Sequence, residues 1–132
     1  MDVASPTRVA IVDDNRQFGE ALGVLLELEP KLVVVATLED GEEAIEFAAR
    51  ETVDVYLVDF RLPDMNGAEA TAEILSRSPD SRVIALSAAA AQPEIEASLA
   101  AGAVACLSKD RDLDTLVATI REAARSAATI EP

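Results

Sequence analysis

A chain of 132 residues, half of them hydrophobic, supplies one core and leaves no room for a second domain. Its 25 acidic and 11 basic residues give a formal net charge of −14, which repels a phosphate backbone and argues against nucleic-acid binding by this chain in favour of a cation or a basic partner. Histidine is absent and Cys106 is the only cysteine, so any chemistry must use carboxylates, hydroxyls and lysine, and no internal disulfide can form.

The lone thiol fits a reducing, cytoplasmic setting. Met1–Thr7 lacks the basic start and apolar run of a leader, and no apolar stretch is long enough to span a bilayer, so a soluble, unprocessed chain is expected. Residues 1–7 and 126–132 read as tails around a single unit covering 8–125.

Short apolar runs alternate with helical patterns five times, which is the signature of a parallel sheet built from βαβ units. The first strand, Arg8–Val12, breaks on Asp13-Asp14-Asn15. The helix after it carries Phe18, Leu22, Leu25 and Leu26 on one face before Pro30 stops it. The second strand, Leu32–Thr37, is uniformly apolar and is expected to be covered on both faces. Asp40 caps the next helix, with Ala44, Ile45 and Ala48 inward and Glu42, Glu43 and Glu46 in solvent.

The third strand, Val53–Asp59, ends on a carboxylate and runs straight into the turn-rich Phe60–Gly67. The helix that follows buries Ile74 and Leu75 and stops near Ser78-Pro79-Asp80. The fourth strand, Arg82–Ser87, leads through Ala88–Ala91 to a helix opened by Pro93 and closed by Gly102, whose glutamates read as solvated surface. The fifth strand, Ala103–Leu107, leads to Ser108-Lys109-Asp110. Asp112 then caps a last helix with Leu113, Leu116, Val117, Ile120 and Ala124 inward.

Right-handed crossovers bring all strand C-termini to one sheet edge, so the loops bearing Asp13, Asp14, Asp59, Ser87 and Lys109 converge. Two like charges 4 Å apart repel by about 4 kcal/mol at an effective dielectric near 20, and a bound divalent cation relieves that repulsion. With oxygen ligands only, the hard cation Mg²⁺ is the natural choice. Lys109 and Ser87 suit a phosphoryl group, and a carboxylate beside them can be the nucleophile, with Asp59 in the central position. Taken alone, Asp13-Asp14 reads more simply as a helix cap with a solvated acid, and Cys106 as a small core residue.

The order Asp-Asp, Asp, Ser-Ala and Lys after strands one, three, four and five resembles the receiver domain of two-component response regulators, over residues 8 to 125. Val58–Gly67 and Gly102–Asp110 are the most specific parts of the match. The latter is most similar to the subgroup whose output domain is a helix-turn-helix DNA binder, and no such domain is present here. The resemblance implies a flavodoxin-like (βα)5 fold with strand order 2-1-3-4-5. It further implies that Asp59 accepts a phosphoryl group from a histidine kinase or phosphotransfer protein.

By the same resemblance, Asp13, Asp14, Asp59 and the Arg61 carbonyl hold Mg²⁺, or Mn²⁺ in its place, and Ser87 and Lys109 bind the phosphoryl oxygens together with the amides of Arg61 and Ala88. Arg61 and Ala89 occupy positions that influence phosphoryl lifetime, small Ala89 leaving the site open to water and Arg61 partly covering it. Cys106 stands where the family usually has an aromatic ring that swings inward on activation, so that lever is missing. The family's homodimer face of helix four, strand five and helix five would use Glu94, Glu96, Arg111, Arg121 and Arg125. Ala21, Val24 and Leu28 on the first helix would offer a patch to a kinase. The implied role is a signalling switch regulating transcription, not a turnover enzyme; the rivals are a phosphorylation-independent binding module and a Mg²⁺-dependent phosphohydrolase.

Overall fold

The computed structural model describes residues 5–88 and 91–128, with side chains as far as residue 125. Ala89, and most of the two expected tails, lie outside the described residues. Five strands, β1 (Thr7–Val12), β2 (Leu32–Leu38), β3 (Val55–Asp59), β4 (Arg82–Ser87) and β5 (Ala105–Ser108), alternate with five helices. These are α1 (Arg16–Glu27), α2 (Gly41–Arg50), α3 (Gly67–Arg77), α4 (Gln92–Ala100) and α5 (Leu113–Ala128). All strand pairs are parallel and the order is β2-β1-β3-β4-β5.

Successive side chains of a strand point to opposite faces, and here both faces are apolar. Val9, Ile11, Val55, Leu57, Ile84 and Leu86 meet Leu22 and Leu26 of α1 and Leu116, Val117 and Ile120 of α5. The intervening Ala10, Val12, Tyr56, Val58, Val83 and Ala85 meet Ala44 and Ala48 of α2 and Ala70 and Ile74 of α3. Tyr56 is fully buried on that second face, and burial pushes its hydroxyl pKa up to about 12.

Four expectations need correction. Strand three begins at Val55 rather than Val53, and Asp54 ahead of it accepts the Arg8 amide on its side chain. The second strand is not covered on both faces: β2 pairs only with β1 at the sheet edge, so Val33–Ala36 are half-buried and Thr37 is exposed. Leu25, expected on the buried stripe of α1, is 43% exposed, because it sits at the margin of the strip that faces the sheet. Strand five begins at Ala105 rather than Ala103, since Val104 is used up in the turn after Gly102, whose φ of 117° ends α4 in the left-handed region. At the ends, β1 starts at Thr7 and α5 runs to Ala128, each slightly beyond the expected unit.

Asn66 caps α3 through a reciprocal capping box with Glu69, and Asp40 caps α2 by accepting from the Glu43 amide. By contrast α4 has no side-chain cap at Ala91, and Ser98 is its only buried residue among those described. It is the helix least fastened by its own sequence. Gly67 is required for close approach instead, since a Cβ there would lie 2.7 Å from both the Asp59 carbonyl oxygen and the Phe60 Cα. Gly67→Ala must therefore push the end of β3 aside. We expect it to cost about 1–3 kcal/mol, read as a lower urea midpoint with unchanged slope.

Among the described residues, no helix is long and apolar enough to cross a membrane.

Candidate functional site

The parallel sheet places Asp13 just after β1, Asp59 as the last residue of β3, Ser87 as the last of β4 and Lys109 just after β5. Asp13, Asp14 and Asp59 each present a carboxylate oxygen within 4.8 Å of the others, and only Asp14 is exposed. Asp13 is fixed by its backbone: its amide donates to the Leu38 carbonyl at 2.9 Å, and its Oδ1 accepts the Asn15 amide at 2.9 Å. The cap of α1 is Asn15, which accepts from the Phe18 amide, so the simpler reading of Asp13-Asp14 as the helix cap is wrong. Turn geometry gave the capping role to the next side chain and left both acids to the site.

The remaining oxygen of Asp13, Oδ2, is buried and has no hydrogen-bond partner of good geometry, but it lies 2.7 Å from the Lys109 ammonium. The same ammonium is 3.7 Å from Asp59 Oδ2. Two further contacts aim it: the Lys109 amide donates to the Ser87 carbonyl at 2.9 Å, and Nζ lies 4.4 Å from the centre of the Phe18 ring. Phe18, read from the sequence only as core, thus also forms the floor under the lysine.

Asp59 is 5% exposed, and its pKa is pushed up to about 6. Burial is the main cause; the Asp13 charge adds to it, with a smaller push from Asp14, while Lys109 and the Arg61 backbone N–H act in the opposite direction. Burial, and then the nearby Glu94, push the Cys106 thiol up. Cys106 is half-buried and packs against the α2 and α3 side of the core.

Two more groups organise the site and were missed in the sequence. Asp64, in the turn after β3, accepts from the Gly41 and Glu42 amides at 2.9 Å each, tying that turn to the positive end of α2. Glu94, expected in solvent or at a dimer face, is turned inward with its side chain 12% exposed. Its Oε1 accepts from the Ser87 hydroxyl at 2.7 Å and its Oε2 pairs with Arg61 at 2.8 Å. Pro93 at the start of α4 fixed where Glu94 falls on the first turn, but no local signal shows that this turn faces the sheet edge.

Other expected groups are dispersed. Arg121 binds Glu29 at 3.2 Å and the Pro30 carbonyl at 3.0 Å, so it is tied to the turn between α1 and β2. Glu96 accepts from Gln92 on its own helix. Val24 and Leu28 are 65% and 74% exposed, and Ala21 lines a cavity of about 220 Å³ with Phe18, Leu25, Leu107 and Leu113. Ala88 is exposed beside the site.

The family model of the response regulator receiver domain matches residues 9–121. The transcriptional regulatory protein DegU of Brevibacillus brevis is 36% identical over 95% of this chain and 53% of its own length. The nitrate/nitrite response regulator NarP of Escherichia coli K12 is 34% identical over 95% of this chain and 58% of its own length. The chain therefore spans little more than half of these relatives. Among solved structures, the receiver domain of a NarL response regulator from Mycobacterium tuberculosis superposes with a TM-score of 0.86 at 31% identity, covering 92% of this chain and 98% of that one. A CheY-like receiver domain from Methanospirillum hungatei JF-1 gives 0.88 at 26% identity, covering 96% and 100%. Fold, site order and sequence agree: the chain belongs to the response regulator receiver domain family.

Proposed function

We propose that this domain is a phosphoacceptor switch in which Asp59 takes a phosphoryl group from the histidine of a partner kinase or phosphotransfer protein. The observation that carries this reading is the cluster itself: a buried carboxylate at a strand end, two further carboxylates within 4.8 Å, and a lysine held between Asp13 and Asp59. These 132 residues contain no histidine, so the donor imidazole lies outside them.

In the transfer, an Asp59 oxygen forms the new bond to phosphorus as the bond from phosphorus to the donor nitrogen breaks, and the imidazole keeps that electron pair. Lys109, the Ser87 hydroxyl and the amides of Arg61 and Ala88 supply N–H and O–H donors to the phosphoryl oxygens. The acid cluster fits a hard dication: its donors are all oxygens, and three carboxylates crowd within 4.8 Å of one another beside a single lysine. Asp13, Asp14, Asp59 and the Arg61 carbonyl would hold Mg²⁺, or Mn²⁺. When bound, the ion would offset the acid charges and those of the incoming phosphoryl group.

The named relatives are transcriptional regulators, and an output domain outside this chain would give it the same role. The exposed Val24 and Leu28 beside Ala21 suit kinase docking. Exposed Leu99 and Val104, with Glu96, Arg111 and Arg125, leave the α4–β5–α5 face suited to a homodimer. We place the switch in the cytoplasm, with no turnover of free substrates.

Incubation with Mg²⁺ and acetyl phosphate, followed by intact-mass measurement, tests the reading. One labile adduct per chain, absent from Asp59→Asn, is the expected result. No adduct would instead support a phosphorylation-independent binding module, and steady release of phosphate from varied esters would support a phosphohydrolase. Because Arg61 lies at the mouth of the site, we expect Arg61→Ala to shorten the adduct's lifetime by admitting water. An unchanged decay rate would count against that role.

A further inference from the structure

We propose that Glu94 is a positioning residue for this site: in the unmodified domain it engages the Ser87 hydroxyl and the Arg61 guanidinium, and it gives them up when a phosphoryl group arrives on Asp59. This rests on the phosphoacceptor reading of Asp59.

The geometry is specific. A serine hydroxyl has one proton, and that of Ser87 is donated to Glu94 Oε1 at 2.7 Å. To donate to a phosphoryl oxygen, Ser87 must leave Glu94. Arg61 is carried by the turn after β3, and its guanidinium is pinned to Glu94 Oε2 at 2.8 Å. Glu94 therefore spans from the end of β4 to the β3–α3 turn, and both contacts are charge-assisted.

What Glu94 holds also determines what it can release. It stands in the first turn of α4, whose N-terminus lacks a side-chain cap and whose only buried residue among those described is Ser98. The two contacts from Glu94 tie that turn to Ser87 at the sheet edge and to Arg61 of the β3–α3 turn. The small Cys106 side chain nearby, where the family's aromatic ring usually sits, is compatible with the inward carboxylate. Arrival of a dianionic group removes Ser87 from Glu94 and sets two like charges near each other, which biases α4 away from its resting position. Coupling between Asp59 and α4 then needs no aromatic lever at residue 106.

The test uses the whole chain with Mg²⁺ and beryllofluoride, a non-covalent phosphoryl mimic. Since wild type must break the Glu94 contacts to bind it, Glu94→Ala should bind about tenfold more tightly, whereas a residue needed only for structure would weaken binding on removal. Glu94→Gln loses the ion pair with Arg61 but keeps a hydrogen bond to Ser87, so it should show a smaller gain. In amide NMR spectra, α4 should respond to beryllofluoride in wild type and lose that response in Glu94→Ala, while Asp59 and Lys109 still respond.

Equal gains in Glu94→Gln and Glu94→Ala would reveal simple charge removal and overturn the proposal. So would unchanged or weaker binding in Glu94→Ala, or an α4 response equal to wild type. If Asp59 and Lys109 fail to respond even in wild type, the phosphoacceptor reading falls, and this inference with it.

Discussion

Asp59→Asn is expected to abolish the acyl-phosphate adduct and, without metal, to make the domain more stable at neutral pH. The reason for the second effect is the direction of the Asp59 shift. Its pKa in the folded state is pushed from 3.8 up to about 6, so the fold prefers the protonated acid. Below the unfolded value the group is neutral in both states and contributes nothing. Between about pH 4 and 6 the unfolded chain loses its proton first, and stability falls as pH rises. Above about 6 the full penalty, of about 3 kcal/mol, is present and constant.

Asparagine is neutral throughout and escapes that penalty. The difference in stability between the variant and wild type should grow from near zero at pH 4 to a plateau above pH 7. At the plateau this corresponds to a rise in melting temperature of about 10 °C. Adding Mg²⁺ should narrow the gap by stabilising wild type selectively, through binding to the folded acid cluster. A gap that is flat with pH would mean that Asp59 is not held at a raised pKa by its surroundings. It would not by itself touch the loss of the adduct, which is read separately by mass.

Lys109→Ala has the opposite sign. Its ammonium is the charge partner of Asp13, which is 1% exposed, and lies 3.7 Å from Asp59. Removing it leaves a buried carboxylate uncompensated beside a second one, and breaking such a pair from one side costs about 3–5 kcal/mol. Chemical denaturation in metal-free buffer should show this as a large fall in midpoint. The double variant Lys109→Ala with Asp13→Asn should recover most of it, because the unpaired charge is gone. Mg²⁺ should also recover stability in the single variant, where the acids remain. Neither should regain beryllofluoride binding at wild-type affinity, since the positive charge aimed at the phosphoryl oxygens is lost in both. A metal-free cost below about 1 kcal/mol would show that water reaches Asp13 and screens it.

Much of the site was legible because its residues sit where periodicity changes. Asp13, Asp59, Ser87 and Lys109 each fall at or just beyond the end of an apolar run, and the parallel topology makes those positions neighbours whatever the loops do. Cover on both faces was expected of β2 alone, whereas β1, β3 and β4 are the strands that have it. The reading failed at β2, whose sequence is equally apolar but which has only one neighbouring strand. Composition reports a strand's preference for cover, and edge position decides how much cover there is.

The alternating architecture and the order of the acids, the serine and the lysine along one sheet edge follow from chain-local facts: hydrophobic period, turn residues and composition. Which partners meet is a property of the packed fold alone. Packing gave the Asp13 charge to Lys109 over the Phe18 ring, used Asp64 to fasten the β3–α3 turn to α2, and sent Arg121 to the turn between α1 and β2. Above all it turned Glu94 from a surface glutamate into a bridge between Ser87 and Arg61. Charge pairs across a packed fold depend on helix rotation and loop path, which a helical pattern as weakly amphipathic as that of α4 does not encode.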